Sequence, residues 1–565
     1  MLISWTELEA NTMQKIKDLK KAQLQKSLDE IKANLADLKK PRDELLSLTE
    51  LSLTELQAKL KHKVATPLDL LHAFQLKGLK LQEKGNSGIC QFISEAEQQA
   101  SQLTEDRPSI KSELFGIPIS VKELCSVSGY DVTFGLWKMC QKPAKEDSVV
   151  IQVLRDAGAI PFVLTSTTQA GFTQSGLNPI FGNLSNPYSD KHEAGGSSCG
   201  EAVLLAQNGS PVGIGTDLVG SIRIPCVFCG LAGLKPTSKR LSAIGSPVLV
   251  PQSTIELEVC IGPIGKLVDD LAKVMRTLLS PTMFELDPNL PVLPFNEEVY
   301  LGKDKRNLVI GFYESIDDSN IIQTVPSVRR AVRQAVHKLT QRGHTLIKFT
   351  PPRPFWAYSL GLRSCAVDGL KGLASFLNGE PSSEASRTIK RMASVPEGVR
   401  SLIDAHVKKS IGKPAAVCEM IRKVDSVAEL MEHVGQVKKY RQEFAKAWKG
   451  ASNLDAIICP VWAYPAMNVS TPSHYITPSV IYVLMYNLLD YPAGSVPMGH
   501  VSAEDLKQAK SDAEKFKQCG DQYHEQLMNM QADTIGLPLG VQVVAKPFRE
   551  ELVLRIMSEL ENGHR

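Results

Sequence analysis

Two stretches of this 565-residue chain hold residue types that could attack and cleave an acyl bond. The first runs from Gly195 to Thr237 and contains nine glycines and four serines, at 197, 198, 210 and 221. Glycine and serine at this density usually mark a flexible linker. Here they are interleaved with Val203-Leu204-Leu205, Val212, Ile214, Ile222 and Ile224, so the segment is expected to be buried. Buried glycine-rich backbone makes tight turns and close approaches to a ligand, and its N–H groups can hold a developing negative charge. A serine in that setting is a candidate nucleophile, and it needs a base.

Histidine is the usual helper, but this segment has none. The nearest, His192, sits in Ser189-Asp190-Lys191-His192-Glu193, which reads as a solvated polar turn. Lysine can serve instead where burial suppresses its charge. Lys122 fits, because it ends the apolar, strand-like run Ile117-Pro118-Ile119-Ser120-Val121. A lone lysine in such a place is more often an edge or partnered residue, so the run alone fixes no role.

Other motifs compete for the same residues. Gly196-Ser197-Ser198-Cys199-Gly200 satisfies GxSxG, the nucleophile elbow that would make Ser198 the attacking group. An elbow must follow a buried strand, and the polar stretch before this one argues against it. Gly213-Ile214-Gly215 is no dinucleotide loop, because the next glycine comes at 220. Cys226 and Cys229 form a lone CxxC without a second pair, better read as small packing residues than as a metal or redox site.

The elements that must position these residues alternate in type. Residues 160–164, 212–214, 308–312, 346–349, 456–459 and 541–544 read as buried strands, while 148–157, 267–279, 328–342, 437–448 and 550–561 read as helices. That alternation predicts an α/β protein with helices on both faces of a sheet. Residues 7–40 predict one helix, with Leu24, Leu28, Ile31, Leu35 and Leu38 on a single stripe. Residues 1–42 carry nine Lys/Arg against six Asp/Glu, so this helix either lies on the body of the protein or serves dimerisation or a membrane surface. Residues 380–430 read as an irregular surface excursion.

Composition narrows the class. Hydrophobic residues make up 43% and charged residues 22%, and the net charge of +3 gives no electrostatic basis for nucleic-acid binding. Eleven dispersed cysteines fit reduced thiols in an intracellular compartment. The first residues show no signal-peptide pattern. The longest apolar stretch, 479–489, is too short to span a bilayer.

The blocks GIPISVKE (116–123), GGSSCGEAVLLA (195–206) and GIGTDLVGSIRIP (213–225) together resemble the amidase-signature family. The resemblance runs from about residue 65 to the C-terminus. It implies a large twisted mixed sheet covered by helices, with residues 1–60 as an N-terminal helical segment and 61–565 as the catalytic domain. LDPNLPVLPFNEEVY (286–300), MYNLLDYPAGSVP (485–497) and GLPLGVQVVAKPFREELVLRIM (536–557) resemble the fatty-acid amide hydrolase branch of vertebrates.

What the resemblance implies is a Ser-Ser-Lys hydrolase of lipid amides that uses no cofactor and no metal. Ser221 would attack, Ser197 relay the proton and neutral Lys122 accept it. The backbone amides of Leu218, Val219, Gly220 and Ser221 would form the oxyanion hole, and Ser197 would follow a cis peptide bond. Ser198, Asp217 and Arg223 would hold the loops, and Phe172 would line the acyl channel. The expected partner is a small lipid amide, with a homodimer and a peripheral membrane contact as the roles open to the N-terminal helix, and the expected place is intracellular, either cytoplasmic or peripheral on an intracellular membrane (endoplasmic reticulum or mitochondrion). An amidase or esterase for smaller polar substrates, and a weakly active binding protein on the same fold, are the alternatives.

Two departures bear on this reading. The oxyanion segment of the family reads Gly-Gly-Ser, and here it reads Val219-Gly220-Ser221. A β-branched residue is strained if that first position needs positive φ, and its methyls would crowd the leaving amine. The counterpart of the family's hydrophobic membrane cap, 395–409, carries charges that disfavour insertion.

Overall fold

Apolar runs of four to eight residues supply the strands of one sheet, seen in a computed structural model that describes residues 5–106, 112–173, 175–249, 254–304, 306–381, 383–399, 402, 405, 419, 422–471 and 477–561. The strands are β1 (Ile89–Phe92), β2 (Pro118–Lys122), β3 (Ile160–Thr165), β4 (Ser185–Asn186), β5 (Ser189–Glu193), β6 (Val212–Asp217) and β7 (Ala232–Lys235). They continue with β8 (Cys260–Gly265), β9 (Val309–Phe312), β10 (Thr345–Lys348), β11 (Ala456–Pro460), β12 (Ala493–His500) and β13 (Pro538–Ala545). Eleven form a single sheet in the order β1-β3-β2-β6-β8-β7-β12-β13-β11-β9-β10, and β4 and β5 make a separate ribbon.

Pairing in the large sheet is mixed. β2 runs parallel to both β3 and β6, and β11 and β10 run parallel to β9. The strands from β6 through β8, β7, β12 and β13 to β11 are joined antiparallel. Every residue of β2, β3, β6, β8, β11 and β13 is buried, which requires cover on both faces of the sheet. Amphipathic helices provide that cover, among them Val268–Leu278, Pro326–Gln341 and Glu550–Glu561. The stretch 479–489 becomes the helix Ile481–Leu488, with every residue buried. Among the described residues no helix is long and apolar enough to cross a membrane.

The N-terminal helix is shorter than its stripe predicts, spanning Trp5–Asn34 and giving way to Arg42–Leu48 after Pro41. Of the tandem SLTEL leucines, Leu48 falls in that second helix and Leu53 and Leu56 in a third, Leu53–Lys61, which Ser52 and Glu55 cap reciprocally. Ile31, Leu35, Leu45, Leu53 and Leu56 join the core of the main body. Lys20, from the middle of the first helix, pairs with buried Asp131. Asp131 also accepts the N–H groups of Gln141 (2.8 Å) and Lys142 (2.7 Å). The first helix therefore lies on the body, fastened to the loop that follows β2.

Within 380–430, the described part contains the helix Glu384–Ala393 and a short turn at Glu397–Val399. The charged segment 395–409 lies in large part outside the described residues.

Candidate active site

Lys122 ends β2, an inner strand between β3 and β6, where no part of its side chain reaches solvent. Its Nζ is 2.8 Å from Ser197 Oγ, 3.0 Å from Ser198 Oγ and 2.9 Å from Thr216 Oγ1. Burial pushes its ammonium down to about 8, against the opposing pull of the Cys199 and Cys125 thiols and the Asp217 and Glu123 carboxyls. As the free amine, Lys122 can accept a proton from one hydroxyl and donate to the other two. Thr216 is a partner that the sequence reading missed, although it lies within the GIGTD block.

Ser197 and Ser198 sit at the start of the helix Cys199–Ala206, with Ser198 as its N-cap. The Gly196–Ser197 peptide bond is cis. Thr167 Oγ1 donates to the Ser197 carbonyl at 3.0 Å. The Ser198 N–H donates to the Ser221 carbonyl at 3.1 Å, which ties the two serine segments together.

Ser221 follows β6 by a four-residue turn, and Asp217 at the end of that strand organises the turn. Burial alone would raise its carboxyl, but the adjacent Arg223 guanidinium outweighs that and holds it well below the usual carboxylate range. Asp217 accepts from Gly220 N (2.7 Å), Ile222 N (3.2 Å), and Arg223 Nε (3.0 Å) and Nη2 (3.1 Å). Arg223, wholly buried, reaches on to Gln542 Oε1 at 3.0 Å, Asn487 Oδ1 at 2.5 Å and the Val483 carbonyl at 3.3 Å. One ion pair thus locks the turn to β13 and to the helix Ile481–Leu488.

This geometry changes two expectations. The Gly220 N–H is engaged by Asp217, which leaves the N–H groups of Leu218, Val219 and Ser221 as the candidate oxyanion donors. The left-handed backbone falls on Gly220 (φ 92°), where a Cβ would also come within 2.6 Å of Val483. Val219 is outside the left-handed region, so the strain considered for it does not arise. Its half-buried side chain packs against the core and is not among the residues lining the cavity.

Ser197, Thr216, Leu218 and Ser221 open into one cleft, whose empty volume, its mouth included, is about 760 Å³. Its wall is mainly apolar. Phe172 lines it as expected, together with Leu124, Phe134, Leu249, Leu370 and Leu373, which the sequence reading did not find. Those residues come from loops and from the helix Lys371–Leu377, and they carry no local signal. His192 differs from expectation too: it is buried on β5, its Nδ1 2.8 Å from Ser189 Oγ, and it does not line the cleft. Among the described residues no group of His, Cys, Asp and Glu could hold a metal ion, and all cysteines are free thiols, Cys226 and Cys229 buried among them.

The family model described as Amidase matches residues 69–554. The chain is 35% identical over 515 residues to fatty-acid amide hydrolase 1 of Sus scrofa, covering 91% of this chain and 86% of that one. It is 32% identical over 547 residues to fatty acid amide hydrolase 1 of Caenorhabditis elegans, covering 95% and 93% of the two chains. A solved structure of a fatty acid amide hydrolase superposes with a TM-score of 0.77 at 21% identity, over 98% of this chain and 94% of that chain.

Proposed function

The chain belongs to the amidase family and is a carbon–nitrogen hydrolase, and we propose that it cleaves fatty-acid amides to a free fatty acid and an amine through a Ser221 acyl-enzyme. The observation that carries this reading is a fully buried lysine amine 2.8 Å from Ser197, beneath an apolar cleft that Ser197 shares with Ser221.

In the proposed sequence, Ser221 Oγ bonds to the amide carbon while its proton passes to Ser197 Oγ, whose own proton moves to Lys122 Nζ. The carbonyl oxygen becomes an oxyanion facing the N–H groups of Leu218, Val219 and Ser221, where fixed donors outperform water. The carbon–nitrogen bond then breaks. Ser197 gives its proton to the departing nitrogen and is resupplied by Lys122. Water hydrolyses the ester through the same relay, releasing the acid and restoring Ser221.

The apolar wall favours a long acyl chain over a small polar one, because each buried methylene is worth about 0.8 kcal/mol. Turnover of primary amides from two to eighteen carbons tests this reading. A rise in kcat/KM with chain length supports it, and a preference for the shortest members refutes it.

The free thiols fit a reducing intracellular compartment. The helix Glu384–Ala393 is amphipathic, with exposed Arg387 and Arg391, and exposed Val399 and Leu402 follow it. These features support a peripheral contact with an intracellular membrane, from which lipid amides would enter the cleft.

A further inference from the structure

One buried acid beside the catalytic groups has no part in the proton relay. Glu201 lies one helical turn after Ser198 and is wholly buried. Its Oε2 accepts from Ser120 Oγ at 2.6 Å and its Oε1 from Thr165 Oγ1 at 2.7 Å. Both donors belong to the immediate setting of Lys122. Ser120 is two residues earlier on β2 and so points to the same face of the sheet. Thr165 is the residue of β3 that pairs with Lys122 in register.

A third strand makes room for the carboxylate. Gly213 on β6 pairs with Ser120, and a Cβ there would come within 1.9 Å of Glu201 Oε2. The missing side chain is the notch that the carboxylate fills. The helix that carries Ser197 and Ser198 is therefore fastened to β2 at two points, by Lys122 at its first turn and by Glu201 one turn later.

We propose that Glu201 is a positioning residue for Lys122: its carboxylate clamps the serine-bearing helix to β2 and β3 and adds to the pull that holds the lysine as its ammonium. This rests on the reading of Lys122 as the base. A carboxylate near Lys122 stabilises the ammonium form, so removing its charge frees the amine at lower pH. Burial raises the Glu201 carboxyl to about 7, opposed by the hydrogen bonds from Ser120 and Thr165 and by the Lys122 charge. The ionisable groups that pull most strongly on Lys122 are the Cys199 and Cys125 thiols, Asp217 on β6 and Glu123 beside it, and Glu201 adds to them. Apart from Glu201, none of them is altered in the test.

The experiment is the single-turnover acylation rate of a long-chain primary amide from pH 6 to 10, for the parent, Glu201→Gln and Glu201→Ala, with thermal unfolding of each. In Glu201→Gln, which keeps the shape of the carboxylate, the rising limb should move down by about half a pH unit or more at little cost in stability. Glu201→Ala should lose about tenfold or more in rate at every pH, and glutamine should restore most of it. Thr165→Val, which removes one donor and leaves the carboxylate, should slow acylation without moving the limb downward. A Glu201→Gln profile superimposable on the parent, or a Glu201→Ala variant with full rate, overturns the proposal. If the parent itself shows no limb near pH 8, the failure belongs to Lys122 as base and not to Glu201.

Discussion

Lys122 can take a proton only as the free amine, and its burial is what makes that form available close to neutral pH. Burial lowers this lysine to about 8, so the neutral fraction, and the acylation rate with it, should rise as pH passes through that value. A histidine base would give a limb near 6.5 instead. Lys122→Ala should slow acylation about 100- to 10,000-fold and narrow the preference for amides over esters, since ester leaving groups need less protonation. A rate that is flat between pH 7 and 9, or a histidine variant with an equal loss, contradicts this. Val219 makes the opposite point. Because it has ordinary φ and stays out of the cleft, Val219→Gly should leave turnover within about threefold on both primary and substituted amides. A tenfold rise on substituted amides would show that valine is a handicap after all.

Elements carry these residues into place, and their legibility in the sequence was uneven. Helices and strands with uninterrupted patterns, such as Ile160–Thr165, Val268–Leu278 and Glu550–Glu561, match the sequence reading within one residue at each end. β7, β8 and β12 were missed because glycine and proline interrupt them, as in Cys260-Ile-Gly-Pro-Ile-Gly265, and only pairing with neighbours makes such segments strands. The serines and the lysine proposed to be catalytic were visible because each stands in a contiguous block. The Glu201 clamp was not, because it depends on the register of three strands. The N-terminal helix is likewise held by a contact that no pattern reveals. Lys20→Met should leave Asp131 without its cation and cost about 3 kcal/mol. Limited proteolysis within residues 1–40 should then become much faster, and an unchanged cleavage rate would show that the ion pair does not hold the helix.

For the whole molecule, the sheet places an apolar cleft above a buried lysine, and on the proposed function that arrangement suits a substrate drawn from lipid. If the proposed peripheral contact runs through the surface around Glu384–Ala393, high salt or alkaline carbonate should release the protein from membranes. A requirement for detergent would contradict that. The cleft wall, assembled from segments far apart in sequence, was the least legible feature, since residues such as Phe134 and Leu370 meet only through the fold. The central claim is that Ser221 is the group acylated. It is tested most directly by labelling the protein with a fluorophosphonate and sequencing the modified peptide by mass spectrometry, with Ser221→Ala and Ser198→Ala in parallel. The adduct should lie on Ser221, vanish in Ser221→Ala while the fold is retained, and persist in Ser198→Ala. An adduct on Ser198, or labelling that survives Ser221→Ala and is lost in Ser198→Ala, would contradict the account.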